Sequence, residues 1–438
     1  MCYDINPLLD WIERRDQCTA IETIEIRRCM IDTIACIAAG WSRPVSIGSV
    51  SPTLHRCPSP LSHALRLGSA SHALDYDDSE VIGSTHPSAV LFAALIPLAS
   101  QRGNSLAELH LAFVCGFEAI AWFCRVFGYR HYARGWHATA TIAAFGAAAG
   151  CAKLLGFSAR KTGYSLALIA SFAGGLKTQF GSDGKAIHVG MASANALLLT
   201  SMVDQSLSGG KNCWDGPTGY MALHHATHSN AKVANQQLGK DSALESIGVV
   251  RKLYPCCHYT HRLIEGALAI FPEINQKMLL DVKLEMPEAY SKVVSQPAID
   301  EDHQARFNVR YCVAQALQYG RVDVESFSTT SLGDSIIEGL MQKISLSSYP
   351  AENLEDLSPD APDRITLTLE NGDVVKRELR HVRGSAQLPV TDSQLSQKFN
   401  DSFQSVSAER SVDKMMVLLQ NDNSSVIDIS NIIHSFGG

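Results

Sequence analysis

Three histidines and one lysine stand beside predicted helix starts, where proteins commonly bind anions. They are His86, His137, Lys185 and His261. The first turn of a helix has unpaired backbone N–H groups and the positive end of the helix dipole. One histidine at such a position is usually a cap or a surface residue, but four cationic positions together favour binding. They predict a site for a substrate with two or three carboxylates, where the histidines transfer protons near neutral pH.

Residues 254–261, with the sequence YPCCHYTH, hold two cysteines and two histidines and raise the possibility of a metal site. Structural zinc sites usually separate their cysteines by two to four residues, whereas the side chains of adjacent Cys256 and Cys257 diverge. His258 and His261 are three residues apart and share a helix face. We expect the cysteines to be packing thiols and the segment to hold no metal, with only His261 in a chemical role.

The acidic segment 75–79, with the sequence DYDDS, suggests a calcium loop or a carboxylate that orients a histidine. An EF-hand would need glycine where Glu80 stands and glutamate at its twelfth position, so the calcium interpretation is weak. A carboxylate paired with His86 is the more plausible interpretation. A solvated acidic cap remains the alternative.

Several common catalytic and nucleotide-binding motifs do not occur in the sequence. There is no strand followed by GxGxxG, no GxSxG and no HExxH, and residues 208–211 (SGGK) lack the spacing of a P-loop. Dinucleotide binding and serine hydrolysis are therefore disfavoured.

The composition indicates a protein that acts on small molecules in the cytoplasm. The 438 residues are 46% hydrophobic and 18% charged, with a formal net charge of −7 and no basic run that would predict nucleic-acid binding. The 12 cysteines are scattered, which favours reduced thiols. The first residues lack the pattern of a secretory signal, and the apolar stretches are interrupted too early to predict a membrane span.

Hydrophobic periodicity predicts two regions of different structure. The first is helical, and the predicted helices cover 22–39, 88–101, 106–126, 138–155, 159–173 and 189–207. The small residues of 146–150 (GAAAG) would let another helix approach closely.

After about residue 255 the sequence has a mixed α and β pattern. Alternating apolar residues predict strands at 282–286 and 365–369, and Asn371-Gly372 predicts a hairpin turn. An apolar stripe over 309–317 predicts a helix that ends at Gly320. A capping box at 391–394 predicts a return to helix, so we place boundaries near 255 and 390. We expect the last segment to pack back on the first.

Several motifs, in this order and spacing, resemble those of the MmgE/PrpD family along nearly the whole chain. They are 72–78 (HALDYDD), 85–88 (THPS), 135–139 (GWHAT), 184–190 (GKAIHVG), 254–257 (YPCC) with His261, and 381–385 (HVRGS).

The resemblance implies a mainly α fold with a particular domain arrangement. A large all-helical domain would comprise residues 1–254 and 391–438, and residues 255–390 would form a smaller inserted α/β lid domain. It also implies a homodimer whose active site lies at the domain junction and works without a metal or an organic cofactor.

The resemblance further implies which residues act on the substrate. It places catalytic groups at Asp75, His86, His137, Lys185 and His261. It places a substrate-binding hydroxyl at Ser79, where the decarboxylases of the family have threonine.

The family's reactions share a carbanion-like centre next to a carboxylate, so the resemblance implies a lyase of small di- or tricarboxylic acids. The matched residues are most like those of a cis-aconitate decarboxylase. A 2-methylcitrate-type dehydratase and an iminodisuccinate-type epimerase are alternatives, and a non-catalytic dicarboxylate-binding protein is an alternative outside enzymes. We expect Lys185 and one histidine to bind carboxylates, and His137 or His261 to move the proton.

Overall fold

The computed structural model describes residues 3–48, 59–210, 212–274, 279–296, 299–351, 357–404, 406 and 409–437. The first part of the chain is helical throughout. Its helices are α1 (Asn6–Arg14), α2 (Ala20–Gly40), α3 (Pro44–Gly48), α4 (Pro60–His72), α5 (Pro87–Arg102), α6 (Leu106–Phe127), α7 (Tyr129–Ala133), α8 (Ala138–Thr141), α9 (Ala143–Leu154), α10 (Ala159–Ile169), α11 (Asp183–Asp204), α12 (Tyr220–Leu223), α13 (His228–Gln237) and α14 (Ala243–Ser246).

The sequence predicts α2, α5 and α6 to within two residues, and three other predicted helices need correction. The predicted helix 138–155 is interrupted at Ile142, which separates α8 from α9. Just before this break, the Thr141 hydroxyl donates to the carbonyls of His137 and Ala138 and so competes with the backbone bonds of a regular helix. The helix predicted over 159–173 ends at Ile169, and turns follow. Helix α11 starts at residue 183 and not at 189, because Ser182 caps it by accepting from the Gly184 N–H.

Glycines allow two close helix crossings in the helical part. A Cβ at Gly146 would lie 2.6 Å from the Gly116 carbonyl oxygen, which confirms the close approach predicted for 146–150 and assigns α6 as the partner of α9. A Cβ at Gly68 would lie 2.7 Å from the Gly190 Cα, so α4 and α11 also cross almost in backbone contact. The second crossing holds the last turn of α4 beside the first turns of α11.

The mixed region contains one sheet with helices packed on it. Its helices are α15 (His261–Ile274), α16 (Glu288–Ser291), α17 (Asp302–Ala305), α18 (Val309–Tyr319), α19 (Thr329–Leu332) and α20 (Ser335–Gln342), and its strands are β1 (Leu279–Pro287), β2 (Ile344–Tyr349), β3 (Asp363–Leu369) and β4 (Val374–Leu379). The strand order is β2-β1-β3-β4, with β1 and β2 parallel and the other pairs antiparallel.

The sheet confirms the strand predictions. Val282, Leu284 and Met286 alternate on the buried face of β1, and the register pairs Leu284 with Ile365 on β3. Helix α15 packs against β3 and β4, and α18 packs against β2. The predicted hairpin joins β3 to β4, and Gly372 adopts φ +86° in its turn.

The last segment returns to the helical part, as the sequence predicts. Helices α21 (Asp392–Gln404), α22 (Glu409–Leu419) and α23 (Val426–His434) follow the sheet, and α21 packs on α2. The capping box is present, since Gln394 N donates to the Thr391 hydroxyl and Thr391 N donates to the Gln394 side chain. From α21, Lys398 donates to buried Asp32 and to the carbonyls of Tyr76 and Lys252.

Among the described residues, two helices are long and apolar enough to cross a bilayer when judged by length and hydropathy alone. In α6, 89% of the apolar window is buried inside the fold, as in the core helix of a globular protein, so its hydropathy is weak evidence for a membrane span. In α11 the corresponding share is 56%, and the exposed remainder includes Ile187, Met191 and Met202.

Candidate active site

A small polar cavity lies where the ends of α4 and α5 meet the first turns of α8 and α11 and the segment that leads into α15. Its volume is about 30 Å³, enough for about one or two water molecules. Its walls are formed by Asp75, Ser79, Ser84, His86, Tyr132, His137, Phe180, Lys185, Lys252, Cys257, His258, Tyr259 and Phe307. Five of the six predicted site residues are therefore in one cavity.

Asp75 holds two lysine ammonium groups at the centre of this cavity. Its Oδ1 lies 2.8 Å from Lys185 Nζ and 3.1 Å from Lys252 Nζ, and Lys252 also donates to the Asp75 carbonyl at 2.7 Å. Burial works to raise the pKa of Asp75, but the two lysines hold it well below its usual range. The carboxyl is therefore ionised, and it lies between two ammonium groups at the cavity wall.

Backbone strain accompanies the charges at this site. Asp75 has φ +50° and Ser84 has φ +56°, a left-handed conformation that is uncommon for residues other than glycine. Both residues line the cavity. The hydrogen bonds from Lys252 to the carbonyl and side chain of Asp75 fix that strained conformation, as is common at functional sites.

A buried histidine–aspartate pair supports Lys185 from behind. His72 Nδ1 lies 2.8 Å from Asp77 Oδ2, and its Nε2 lies 2.6 Å from Lys185 Nζ. The carboxylate accepts the Nδ1 proton, so the Nε2 lone pair receives a hydrogen bond from the ammonium. Burial lowers the pKa of His72 despite the neighbouring Asp77, which keeps the ring neutral. His72 and Asp75 thus hold the Lys185 ammonium from two sides.

His86 caps α5 and points its second nitrogen toward Asp75. Its Nδ1–H donates to the Asp78 carbonyl at 2.8 Å, so Nε2 has no proton in the neutral ring. That Nε2 lies 3.8 Å from Asp75 Oδ1. Burial lowers the pKa of His86 well below its usual range, although Asp77 opposes the shift. His86 therefore lies beside Asp75 without a hydrogen bond to its carboxylate.

His137 provides a cavity-lining imidazole with one unused nitrogen. Its Nδ1 lies 3.1 Å from His188 Nδ1, and Phe180 contacts the ring edge-on at 5.1 Å between ring centroids. Its buried Nε2 has no hydrogen-bond partner among the described residues. Burial, and then the Lys185 charge, lower the pKa of His137 well below its usual range. Burial and the Lys185 charge therefore hold His137 neutral.

Ser79 is bonded to His258, and both side chains line the cavity. Ser79 Oγ lies 2.8 Å from His258 Nδ1, while the Ser79 backbone pairs with Val250 in both directions. Two residues after Val250, the same strand-like segment provides Lys252.

His261 is the predicted site residue that is absent from the cavity wall. The prediction had His261 one turn into a helix, whereas α15 begins at His261 after a 3-10 turn at 258–260. Its Nε2 lies 3.2 Å from the Cys256 carbonyl oxygen, and its ring lies against the rings of Tyr254 and His258. His261 therefore stands behind His258 relative to the cavity.

The two adjacent cysteines differ in position. Cys256 is buried beside Thr260, with 3.1 Å between the sulfur and the hydroxyl oxygen. Cys257 lines the cavity, where burial and nearby Asp75 raise the pKa of its thiol to about 12. Cys257 is therefore a neutral thiol in contact with the cavity and does not serve packing alone.

Four side chains here have the spacing of a metal-binding group. Donor atoms of His72, Asp75, Asp77 and His86 all lie within 4.8 Å of one another. However, Lys185 Nζ already bonds both His72 and Asp75, and Lys252 Nζ bonds Asp75 as well. The donor set fits a metal poorly, because two ammonium groups occupy the cation positions.

Sequence reasoning missed Lys252, His72, Asp77 and His258 as members of the site. His72 and Asp77 lie inside the acidic motif 72–78, and Lys252 lies two residues before the YPCC motif. Their proximity to recognised residues was the available signal. No local pattern indicates which of them turns toward the cavity, since that depends on the packing of segments more than 100 residues apart.

Comparisons with known proteins match two family models and two relatives. The MmgE/PrpD N-terminal domain model matches residues 14–231, and the MmgE/PrpD C-terminal domain model matches residues 254–422. The chain is 24% identical to the human (Homo sapiens) cis-aconitate decarboxylase over 372 residues, which cover 81% of this chain and 75% of the relative. It is also 24% identical to the mouse (Mus musculus) cis-aconitate decarboxylase over 379 residues, which cover 81% and 74%.

Proposed function

The chain belongs to the MmgE/PrpD family, and from that premise we propose a cofactor-independent lyase that acts on a small di- or tricarboxylic acid. The observation that carries the proposal is the placement of Lys185 and Lys252 on one buried carboxylate, Asp75, beside a small cavity that is also lined by neutral histidines. Two ammonium groups held in this way bind carboxylates and stabilise negative charge that develops next to one of them. The proposal requires the cavity to widen from its volume of about 30 Å³ when such an acid binds.

The cations act where the reaction produces charge. When a carbon–carbon bond to a carboxylate breaks, CO₂ leaves and the electron pair remains on the substrate carbon, delocalised toward the neighbouring carboxylate. When a proton is removed instead, the same carbanion forms. The Lys185 and Lys252 ammoniums are held in place by Asp75 before the reaction, so they stabilise this charge without reorganising.

His137 is the proposed group that moves the proton. Burial and Lys185 keep it neutral before substrate binds. A bound polycarboxylate brings negative charges that raise the pKa of a nearby imidazole, so His137 takes up a proton as the substrate binds. The imidazolium then gives that proton to the carbanion after CO₂ has left, and the site returns to its starting state when product leaves.

Among reactions of this type, decarboxylation of a substrate like cis-aconitate is the first candidate, because both relatives described above are cis-aconitate decarboxylases. Dehydration of a citrate-type acid and epimerisation of an amino-dicarboxylate require the same cations and the same proton transfer, and they remain alternatives.

The proposal includes a domain arrangement, an oligomer and a location. Residues 1–254 and 391–438 would form the helical domain, and residues 255–390 would form the α/β lid over the cavity. The protein would be a cytoplasmic homodimer that binds a small polycarboxylate, without nucleic acid or membrane as a partner. The packing of α21 on α2 supports the first part of this arrangement.

Following the reactions by NMR tests the proposal. Purified protein in D₂O is incubated separately with cis-aconitate, citrate and iminodisuccinate or an aspartate-type acid. The growing product distinguishes decarboxylation from dehydration and epimerisation, and deuterium incorporation next to a carboxylate reports the carbanion. Binding without product and without exchange would contradict the enzyme and favour the non-catalytic dicarboxylate-binding alternative.

A further inference from the structure

Three polar atoms around the cavity are buried and lack a hydrogen-bond partner among the described residues. They are Ser84 Oγ, His137 Nε2 and His258 Nε2. Nearly all buried polar groups in native proteins have a partner, so an unpaired group beside a cavity indicates the position of a ligand atom. Only His137 has a predicted role among these three.

His258 is fixed in place by its other nitrogen. The ring is 7% exposed, and Nδ1 lies 2.8 Å from the Ser79 hydroxyl. Ser79 is itself held, because its backbone N–H and C=O both bond to Val250. The His258 ring is therefore oriented by a serine on a rigid segment, and its Nε2 is left for a ligand.

The Ser79 hydroxyl also selects the tautomer of His258. A hydroxyl has one proton to donate, and His258 Nδ1 is the acceptor recorded for it among the described residues. If Ser79 donates to Nδ1, the proton of the neutral imidazole is on Nε2. His258 then offers an N–H donor beside the cavity.

We propose that His258 Nε2–H binds a substrate carboxylate oxygen directly, and that Ser79 acts through His258 as a positioning residue and does not itself contact the substrate. This inference rests on the proposed polycarboxylate function and deepens it. It makes His258 the histidine that binds a carboxylate together with Lys185, whereas the sequence pattern predicted a chemical role for His261, which lies behind His258. Before substrate binds, burial lowers the pKa of His258 well below its usual range, so the ring is a neutral donor.

Two substitutions at His258 separate the roles of its two nitrogens. In His258→Gln the side-chain amide reaches the Nε2 position and keeps a donor there. In His258→Asn the amide reaches only the Nδ1 position, so the contact with Ser79 is kept and the donor to the substrate is lost. His225→Asn is the matched control, because His225 is exposed and has φ +58°, which asparagine tolerates.

Calorimetric titration with citrate measures the effect on binding. We expect His258→Asn to weaken citrate binding at least 10-fold, and His258→Gln and the control to stay within about 3-fold of the wild type. Ser79→Ala should weaken binding and Ser79→Thr should restore it, because threonine keeps the hydroxyl. Equal binding by wild type and His258→Asn would overturn the proposal.

Failure of citrate to bind to the wild type would count against the proposed substrate class. A second measurement tests the proposal for His258 in that case as well. Histidine ¹⁵N spectra of the folded wild-type protein report which nitrogen of His258 carries the proton. We expect Nε2 protonated and Nδ1 unprotonated from pH 6 to pH 8, with a change of the tautomer ratio in Ser79→Ala. A proton on Nδ1 in the wild type would overturn the proposal.

Discussion

At the scale of single residues, burial and neighbouring charges set the protonation of the site. Asp75 is held ionised by two lysines, whereas burial keeps His72, His86 and His137 neutral. The cavity therefore combines fixed charge with neutral hydrogen-bonding groups. A dicarboxylate can bind to the ammoniums, and the imidazoles remain available for protons.

Removal of either cavity lysine tests the electrostatic role. We expect Lys185→Ala and Lys252→Met each to lower turnover about 100- to 1,000-fold, because each removes a preorganised cation from the developing charge. Lys232→Ala, at an exposed position on α13, is the control. Steady-state rates with the substrate found by NMR provide the measurement. Turnover within a few-fold of the wild type in Lys185→Ala would contradict the assignment.

The buried acid Asp78 gives a prediction about stability and pH. Burial and nearby Asp32 raise the pKa of Asp78 to about 7, above the value near 4 of an unfolded aspartate. The folded protein thus keeps a proton that the unfolded chain loses. The contribution of the protonated Asp78 carboxyl to the free energy of unfolding is full below about pH 4 and is lost as pH rises to about 7.

Asp78→Asn should remove this pH dependence. The variant should gain about 1–4 kcal/mol in free energy of unfolding relative to the wild type between pH 4.5 and pH 7. Urea unfolding at several pH values measures the difference, with the exposed Asp16→Asn as the control. Parallel pH profiles for wild type and Asp78→Asn would show that the carboxyl does not titrate in this range.

At the scale of elements, one helix crossing assembles half of the site. Helices α4 and α11 meet at Gly68 and Gly190, and one turn or so beyond this contact they carry His72 and Lys185, whose side-chain nitrogens are 2.6 Å apart. The absence of side chains at the crossing lets the two functional groups reach each other.

Gly190→Ala should separate the two helices. The added Cβ would lie 2.4 Å from the Leu65 carbonyl oxygen and 2.5 Å from the Ser69 hydroxyl, which is too close without a backbone shift. We expect a loss of about 1–3 kcal/mol in stability and a lower turnover. Gly339→Ala in α20 is the control, since its added Cβ would have no neighbour within 4 Å among the described residues. Equal thermal unfolding of both variants would contradict the prediction.

At the scale of the whole molecule, the chain ends and the middle segment meet around the cavity. Lys398, on α21, donates to the carbonyls of Tyr76 and Lys252, which adjoin the two sides of the site.

The fold also leaves Ile187, Met191 and Met202 exposed along α11, the helix that carries Lys185. An exposed apolar stripe on a long helix fits the proposed homodimer, with a second copy of the chain as its partner.

Met191→Glu should weaken that dimer, because it places a charge in the apolar stripe. Sedimentation should give a mass of about twice 47.5 kDa for the wild type and about 47.5 kDa for the variant. Val417→Glu, at a residue that is 67% exposed on α22, is the control and should stay dimeric. A dimeric Met191→Glu protein would mean that the proposed subunits do not meet through this face of α11.

The sequence by itself determined the features that depend on neighbours along the chain. The cap at Thr391, the helix start at Pro87, the hairpin at Gly372 and the helical stripe that ends at Gly320 all follow from interactions over a few residues. The break at Ile142 was missed because hydrophobic periodicity cannot show where a threonine hydroxyl competes for helix carbonyls.

Only the tertiary structure decided which functional groups meet. Lys185 bonds Asp75 across 110 residues, Lys252 bonds the same aspartate across 177, and Ser79 bonds His258 across 179. Of the two histidines in residues 254–261, only His261 had a predicted chemical role, but the start of α15 puts His258 at the cavity and His261 behind it. The motifs could therefore indicate a polycarboxylate site, whereas the identity of its donors depended on how distant segments pack.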